Sequence, residues 1–140
     1  MPKPTTIRIK ESSRRSIETI VERTNRDFSS IVNELLEEAL RMRQIPGIVF
    51  ADGPTGRRAR LAGTGLDVFE VIGTFHEIDG DFARLAQCYP WLGEIPLRAA
   101  LAYAQAYPQE IEARLERERL WDAEETRRQF PFTVPPCASI

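Results

Sequence analysis

Thr6-Ile7-Arg8-Ile9-Lys10, and further on Phe28-Ser29-Ser30-Ile31-Val32-Asn33-Glu34-Leu35-Leu36-Glu37-Glu38-Ala39-Leu40, are the stretches on which the N-terminal fold turns. In the first, polar and apolar residues alternate with period two. A short half-buried strand is predicted, with Ile7 and Ile9 on one face and Thr6, Arg8 and Lys10 on the other. Ser12 or Ser13 is expected to N-cap a helix whose Ile17, Ile20, Val21 and Thr24 recur at i, i+3, i+4 and i+7, and which ends near Asn25. A second helix is expected to start at Ser29 or Ser30. Its stripe of Ile31, Val32, Leu35, Leu36, Ala39 and Leu40 is two residues wide on every turn, too much apolar surface for one neighbour.

One strand and two helices in roughly 40 residues bury too little surface to be stable alone, and a single strand leaves its own edges unsatisfied. A second copy answers both needs. Two such strands pair antiparallel across a two-fold axis while the broad helical stripes share one core. Over about residues 5 to 43 these stretches resemble the ribbon-helix-helix family of repressors and antitoxins. The resemblance implies an intertwined homodimer that binds operator DNA.

The chemistry of the residues is compatible with that implication. A two-stranded ribbon fits the major groove, and Thr6, Arg8 and Lys10 would point away from the core. Arg8 is the best base reader, since Arg and Lys donate to guanine O6 and N7 while Thr6 offers only a hydroxyl or a methyl. A merely solvated strand face is the plainer alternative. At the start of the second helix, free backbone N–H groups and the dipole make Ser29 and Ser30 candidates to hold a DNA phosphate as well as to cap. Lys3, Arg14 and Arg15 are further candidates for backbone contact or for simple surface solvation. Up to Arg15 the chain carries five cations against Glu11 alone, although its net charge is -2, so the basic charge is local.

After Arg43 the pattern changes, and Gln44-Ile45-Pro46-Gly47 reads as a break between modules. Ile48-Val49-Phe50 and Ala59-Arg60-Leu61 flank a turn and predict a hairpin, whose Arg57, Arg58 and Arg60 are candidates for a wing on DNA phosphate or for protein contact. Four helical segments are expected next. Asp67-x-x-Glu70 is a capping-box pattern ahead of Val68, Val71, Ile72 and Phe75, and Asp81 precedes Phe82, Leu85, Ala86 and Tyr89. Tyr89-Pro90-Trp91-Leu92-Gly93 is a break, Pro96 suits the first turn of a helix with Leu97, Ala100, Leu101 and Ala104, and Pro108 starts one that reaches toward Arg128. The expected fold is therefore mainly α with short β: a ribbon-helix-helix at 1–44, a hairpin plus helix-turn-helix-like bundle at 46–118, and a long C-terminal helix with a tail at 119–140.

Pro46-Gly47-Ile48-Val49-Phe50-Ala51-Asp52-Gly53-Pro54, Gly63-Thr64-Gly65-Leu66-Asp67-Val68, Tyr89-Pro90-Trp91-Leu92 and Arg98-Ala99-Ala100-Leu101-Ala102-Tyr103 are similar to the family known as domain of unknown function four hundred and thirty-three. The similarity covers about residues 46 to 115. It implies an antitoxin encoded beside a PIN-type nuclease toxin. The family's usual Gly-Thr-Arg is Gly63-Thr64-Gly65 here. In the expected recognition helix only Arg98 is a base-reading cation, while Tyr103 and Tyr107 suit packing, so the second module reads as a protein-contact body. From Ile111 to Trp121 apolar residues are sparse. Trp121, Phe130 and Phe132 are residue types that anchor interfaces, and the tail is expected to fold onto a partner or to fray.

No catalytic constellation is legible, so no enzyme is expected. The single His76 reads as a surface residue, Cys88 and Cys137 lack zinc or redox spacing, and neither metal nor cofactor is expected. Gly63-Thr64-Gly65 meets Val68 where a dinucleotide loop needs its third glycine, and no P-loop lysine follows any glycine-rich turn. Without an apolar run of about 18 residues or a cleavable leader, a cytoplasmic location away from membranes is expected. The expectation is an antitoxin of a type II toxin-antitoxin pair that occupies operator DNA as a dimer and neutralises the nuclease. A free-standing repressor and a non-DNA-binding oligomeric adaptor remain as alternatives.

Overall fold

The computed structural model describes residues 2–53, 56–120 and 128. The chain divides into two compact units, Met1–Arg41 and Met42–Ile140. The described residues hold six helices and one two-stranded antiparallel hairpin.

In the first unit, α1 (Glu11–Thr24) begins earlier than the serines suggest. Lys10 is the N-cap, its carbonyl accepts the Arg14 amide at 2.9 Å, and Ser12 and Ser13 lie inside the first turn. Glu11 favours this start, because an acidic group in the first turn complements the helix dipole. Asn25 ends the helix in the left-handed region, at φ 54° and ψ 35°, which its short polar side chain tolerates. α2 (Phe28–Gln44) also starts upstream of the expected serines. Asp27 holds its first turn: the carboxylate accepts from the Ser30 amide at 3.1 Å and the Ser30 hydroxyl at 2.5 Å, and the Asp27 carbonyl accepts from Ile31 at 3.2 Å.

The strand expected at Thr6–Lys10 is not formed in the single chain. Residues 2–10 carry no ladder, and of them only Ile9 is half-buried. Among the described residues no strand is placed to bond its N–H and C=O groups. Burial in this unit is correspondingly thin. Among its described residues Ile31 alone is buried, while Ile7 is 60%, Leu36 51% and Leu40 60% exposed.

The second unit opens with β1 (Ile48–Gly53) paired to β2 (Gly56–Leu61), in register from Ile48 opposite Leu61 to Gly53 opposite Gly56. A Cβ at Gly53 would stand 2.7 Å from the Arg58 guanidinium carbon, so a side chain there requires the Arg58 head to shift. A tight turn follows at Gly63-Thr64-Gly65. Both glycines take positive φ, and the Thr64 hydroxyl donates to the Leu61 carbonyl at 2.8 Å while accepting from the Leu66 amide at 3.0 Å. At φ +72°, position 65 suits glycine better than the arginine of the resembled pattern.

α3 (Val68–Glu77), α4 (Phe82–Cys88), α5 (Glu94–Ala106) and α6 (Pro108–Leu120) complete the unit. The Asp67 amide donates to Glu70 Oε2 at 2.8 Å in the predicted capping box, and the Asp81 carboxylate accepts from the Arg84 amide at 3.2 Å. α3 packs against β2, α4, α5 and α6, so its Val68, Val71 and Ile72 meet Leu61, Leu85, Leu97 and Leu115 in one apolar cluster. Tyr103 lies fully buried in that cluster, edge-on to Phe50 and tilted against Tyr107. Its hydroxyl donates to Glu110, and the Tyr107 hydroxyl donates to Gln44 Oε1 at 2.8 Å. The expected continuation of α6 toward Arg128 crosses 121–127, outside the described residues.

Leu97→Ala, at a site with no solvent exposure, is expected to destabilise the fold by about 2–5 kcal/mol. The 81% exposed Ile95, changed to Ala as a control, should shift stability by less than about 0.5 kcal/mol. Urea unfolding of both variants, compared by midpoint, checks the difference.

Candidate nucleic-acid interface

The basic residues of the N-terminal segment differ in how they are engaged. Lys3, Arg8 and Lys10 are exposed, and among the described residues no carboxylate lies within ion-pair distance of them. Thr6 is exposed beside them. Arg14 and Arg15 have local partners: Arg14 Nε is 3.6 Å from Glu18 Oε1, and Arg15 Nε is 3.4 Å from Glu11 Oε1. Exposed pairs of this kind contribute little, so either arginine can exchange its carboxylate for a phosphate at small cost. Arg14 also stands 5.9 Å over the Phe28 ring.

The two serines expected to receive a phosphate are not equivalent. Ser29 lies exposed in the first turn, with its carbonyl accepting from Asn33 Nδ2 at 2.9 Å. Ser30 has given both its amide and its hydroxyl to Asp27. Those bonds, the hydroxyl first, hold the Asp27 carboxyl below its usual range. Sequence reading passed over Asp27, although an Asp three residues ahead of Ser30 and just before an apolar run is an ordinary N-cap signal.

The hairpin arginines expected as a wing are engaged within their own unit. Arg58 Nε lies 3.0 Å from Asp67 Oδ2, Arg60 Nε donates to Asp67 Oδ1 at 3.1 Å, and Arg57 Nη1 lies 3.3 Å from Asp52. Asp67 is 4% exposed. A carboxylate taken out of water requires compensating charge, and the two arginines supply it. Their positions serve the hairpin and the cap of α3 rather than an open basic surface. Arg98 is exposed, with Glu94 at 2.6 Å and the Phe82 ring at 4.4 Å, an i,i+4 pair of the same weak kind as those of Arg14 and Arg15. Among its exposed residues the second unit also carries large apolar side chains, Trp91 at 62% and Ile95 at 81%.

His76 is exposed in the last turn of α3 and Cys88 is a half-buried free thiol. Among the described residues no cluster of three or more His, Cys, Asp or Glu side chains is placed to hold a metal. No helix among them is long and apolar enough to cross a membrane. Trp121, Phe130, Phe132 and Cys137 lie outside the described residues. Compared with known proteins, the chain matches no family model, no curated protein and no solved structure.

Asp67→Ala leaves two largely buried guanidinium groups without their carboxylate and is expected to destabilise the second unit by about 3–5 kcal/mol. Chemical unfolding followed by tryptophan fluorescence measures it. The triple change of Asp67, Arg58 and Arg60 to apolar residues should recover much of the loss.

Proposed function

We propose that this chain is a dimeric, sequence-specific DNA-binding protein of the ribbon-helix-helix type that serves as an antitoxin. The observation that carries the DNA half is a coincidence in the first unit. An apolar helix face lies open at Leu35, Leu36 and Leu40. Among the described residues, the three cations of the segment ahead of α1 have no carboxylate partner and the segment has no strand to pair with. A second copy resolves all three conditions: it closes the stripe, pairs the strands, and sets Thr6, Arg8 and Lys10 of both protomers side by side. Arg8 then reads a base, Lys10 and Thr6 support it, and Lys3, Arg14 and Arg15 meet the phosphate backbone.

The antitoxin half rests on the resemblance read in residues 46 to 115 and on the engagement of the second unit's hairpin arginines within its own fold. With Trp91 and Ile95 left outside, that unit suits a protein partner better than a second stretch of DNA. The partner proposed is the toxin nuclease, with Trp121, Phe130 and Phe132 as anchors. The free-standing repressor shares the DNA half and lacks the toxin. Co-expression with the protein encoded by the adjacent reading frame separates them: an antitoxin rescues growth, and loses that ability when residues 119–140 are deleted while DNA binding persists.

Leu36→Lys is expected to turn a dimer into a monomer in sedimentation and to abolish DNA binding with it. If the variant remains a dimer, the α2 face is not the interface. Arg8→Ala, read by band shift on a selected duplex, should lower affinity about 10- to 100-fold and relax sequence preference. Arg14→Ala should weaken all sequences alike and reduce the slope of log affinity against log salt by about 1.

A further inference from the structure

α5 turns one face to the core and another to solvent. Leu97, Ala100 and Tyr103 are buried, whereas Ile95, Arg98 and Ala102, spaced i, i+3 and i+7, are exposed. Ile95 at 81% and Trp91 at 62% flank Gly93, the N-cap of this helix, and with Leu120 they are the most exposed large apolar side chains among the described residues. One such residue on a surface is ordinary; two at the same helix end, rimmed by charge, mark a contact surface.

The side chains of this surface are held in place from below. The Arg98 guanidinium stands 4.4 Å from the Phe82 ring centroid and its Nε donates to Glu94 Oε1 at 2.6 Å. Trp91 lies edge-on to Tyr89, whose hydroxyl is 3.1 Å from Thr74 Oγ1. Glu94 and Arg98 are each 62% exposed, so their mutual attraction is weak and both can accept a further partner.

Sign and size decide what fits. With one anion and one cation the face is neutral, so a strongly charged partner such as nucleic acid gains nothing from it. An acid and a base one turn apart on a helix are instead complementary to themselves. When two copies meet antiparallel across a two-fold axis, Glu94 of each comes opposite Arg98 of the other, the two Ile95 side chains meet near the axis, and the small Ala102 of each leaves room for the Trp91 ring of the other.

We propose that the exposed face of α5 binds a second copy of this chain, antiparallel, with Glu94 and Arg98 paired between the copies. A few residues a side fall well short of the about 20–30 a side of a stable interface, so the contact is weak and reversible. It is separate from the α2 face, and it requires neither DNA nor a toxin.

Sedimentation velocity of the full-length chain over a broad concentration range tests it. The wild type is expected to show a reversible, concentration-dependent step, which Leu36→Lys retains while losing the tight dimer of the α2 face. If Leu36→Lys keeps the tight dimer, the α2 reading fails and the α5 step stands. Glu94→Arg and Arg98→Glu, each alone, set like charges opposite one another and are expected to abolish the step, with urea midpoints showing that both variants are folded. Mixed in equal amounts, the two regain it, because the excess cations of one meet the excess anions of the other. A wild type without the step, single variants that keep it, or a mixture that does not restore it overturns the proposal. So does a chain that does not self-associate but whose Ile95→Lys variant no longer neutralises the protein of the adjacent reading frame, since the face then belongs to that partner.

Discussion

A carboxylate cannot be left unpaired out of water, and in the second unit that constraint falls on Asp67. Its position joins three parts of the unit. The side chain draws Arg58 and Arg60 of β2 toward it, its amide closes the capping box with Glu70, and its backbone bridges to Arg60. α3 thereby starts at a fixed point against the hairpin. Because α3 is the helix that touches β2, α4, α5 and α6, the position of the core follows from that start. Gly53 borders the same arrangement, since a Cβ there would displace the Arg58 guanidinium.

The first unit is organised by the opposite condition. Its charges are solvated or locally paired, and its apolar side chains are the groups left unsatisfied. Two helices with a single buried residue between them do not make a core. The same fourteen residues that open the chain to Arg14 therefore hold two unfulfilled capacities, one for a ladder and one for anions. The proposed dimer on DNA is the assembly in which both are met.

Residue chemistry is local, and this decided how well each site residue could be foreseen. Lys3, Arg8 and Lys10 have no acidic neighbour close by except Glu11, so their availability could be read along the chain. The hairpin arginines looked equally available, yet the carboxylate that engages two of them lies seven and nine residues away, across a turn. The serines at 29 and 30 were plausible caps because Asp27, Ser29 and Ser30 all satisfy the same rule. Which one caps depends on backbone geometry, and Asp27 prevails because an ionised acceptor gains most from the dipole.

By itself the sequence determined the local structure of this protein. Hydrophobic period, proline and glycine placement and the Asp67-x-x-Glu70 and Asp81 signals were enough for the hairpin and for α3, α4 and α5, since each rests on contacts within a few residues. It also determined that residues 6–10 have a strand's alternation. Whether a strand exists is a different matter, because a ladder needs a second set of N–H and C=O groups that none of the described residues offers to this segment. Tertiary structure alone decided which cations are engaged inside the fold, that Tyr103 is buried with its hydroxyl on Glu110, and that Ile95 faces solvent. These outcomes depend on distances between residues remote in the chain or on which side of a helix a neighbour covers, and neither quantity is carried by composition or period.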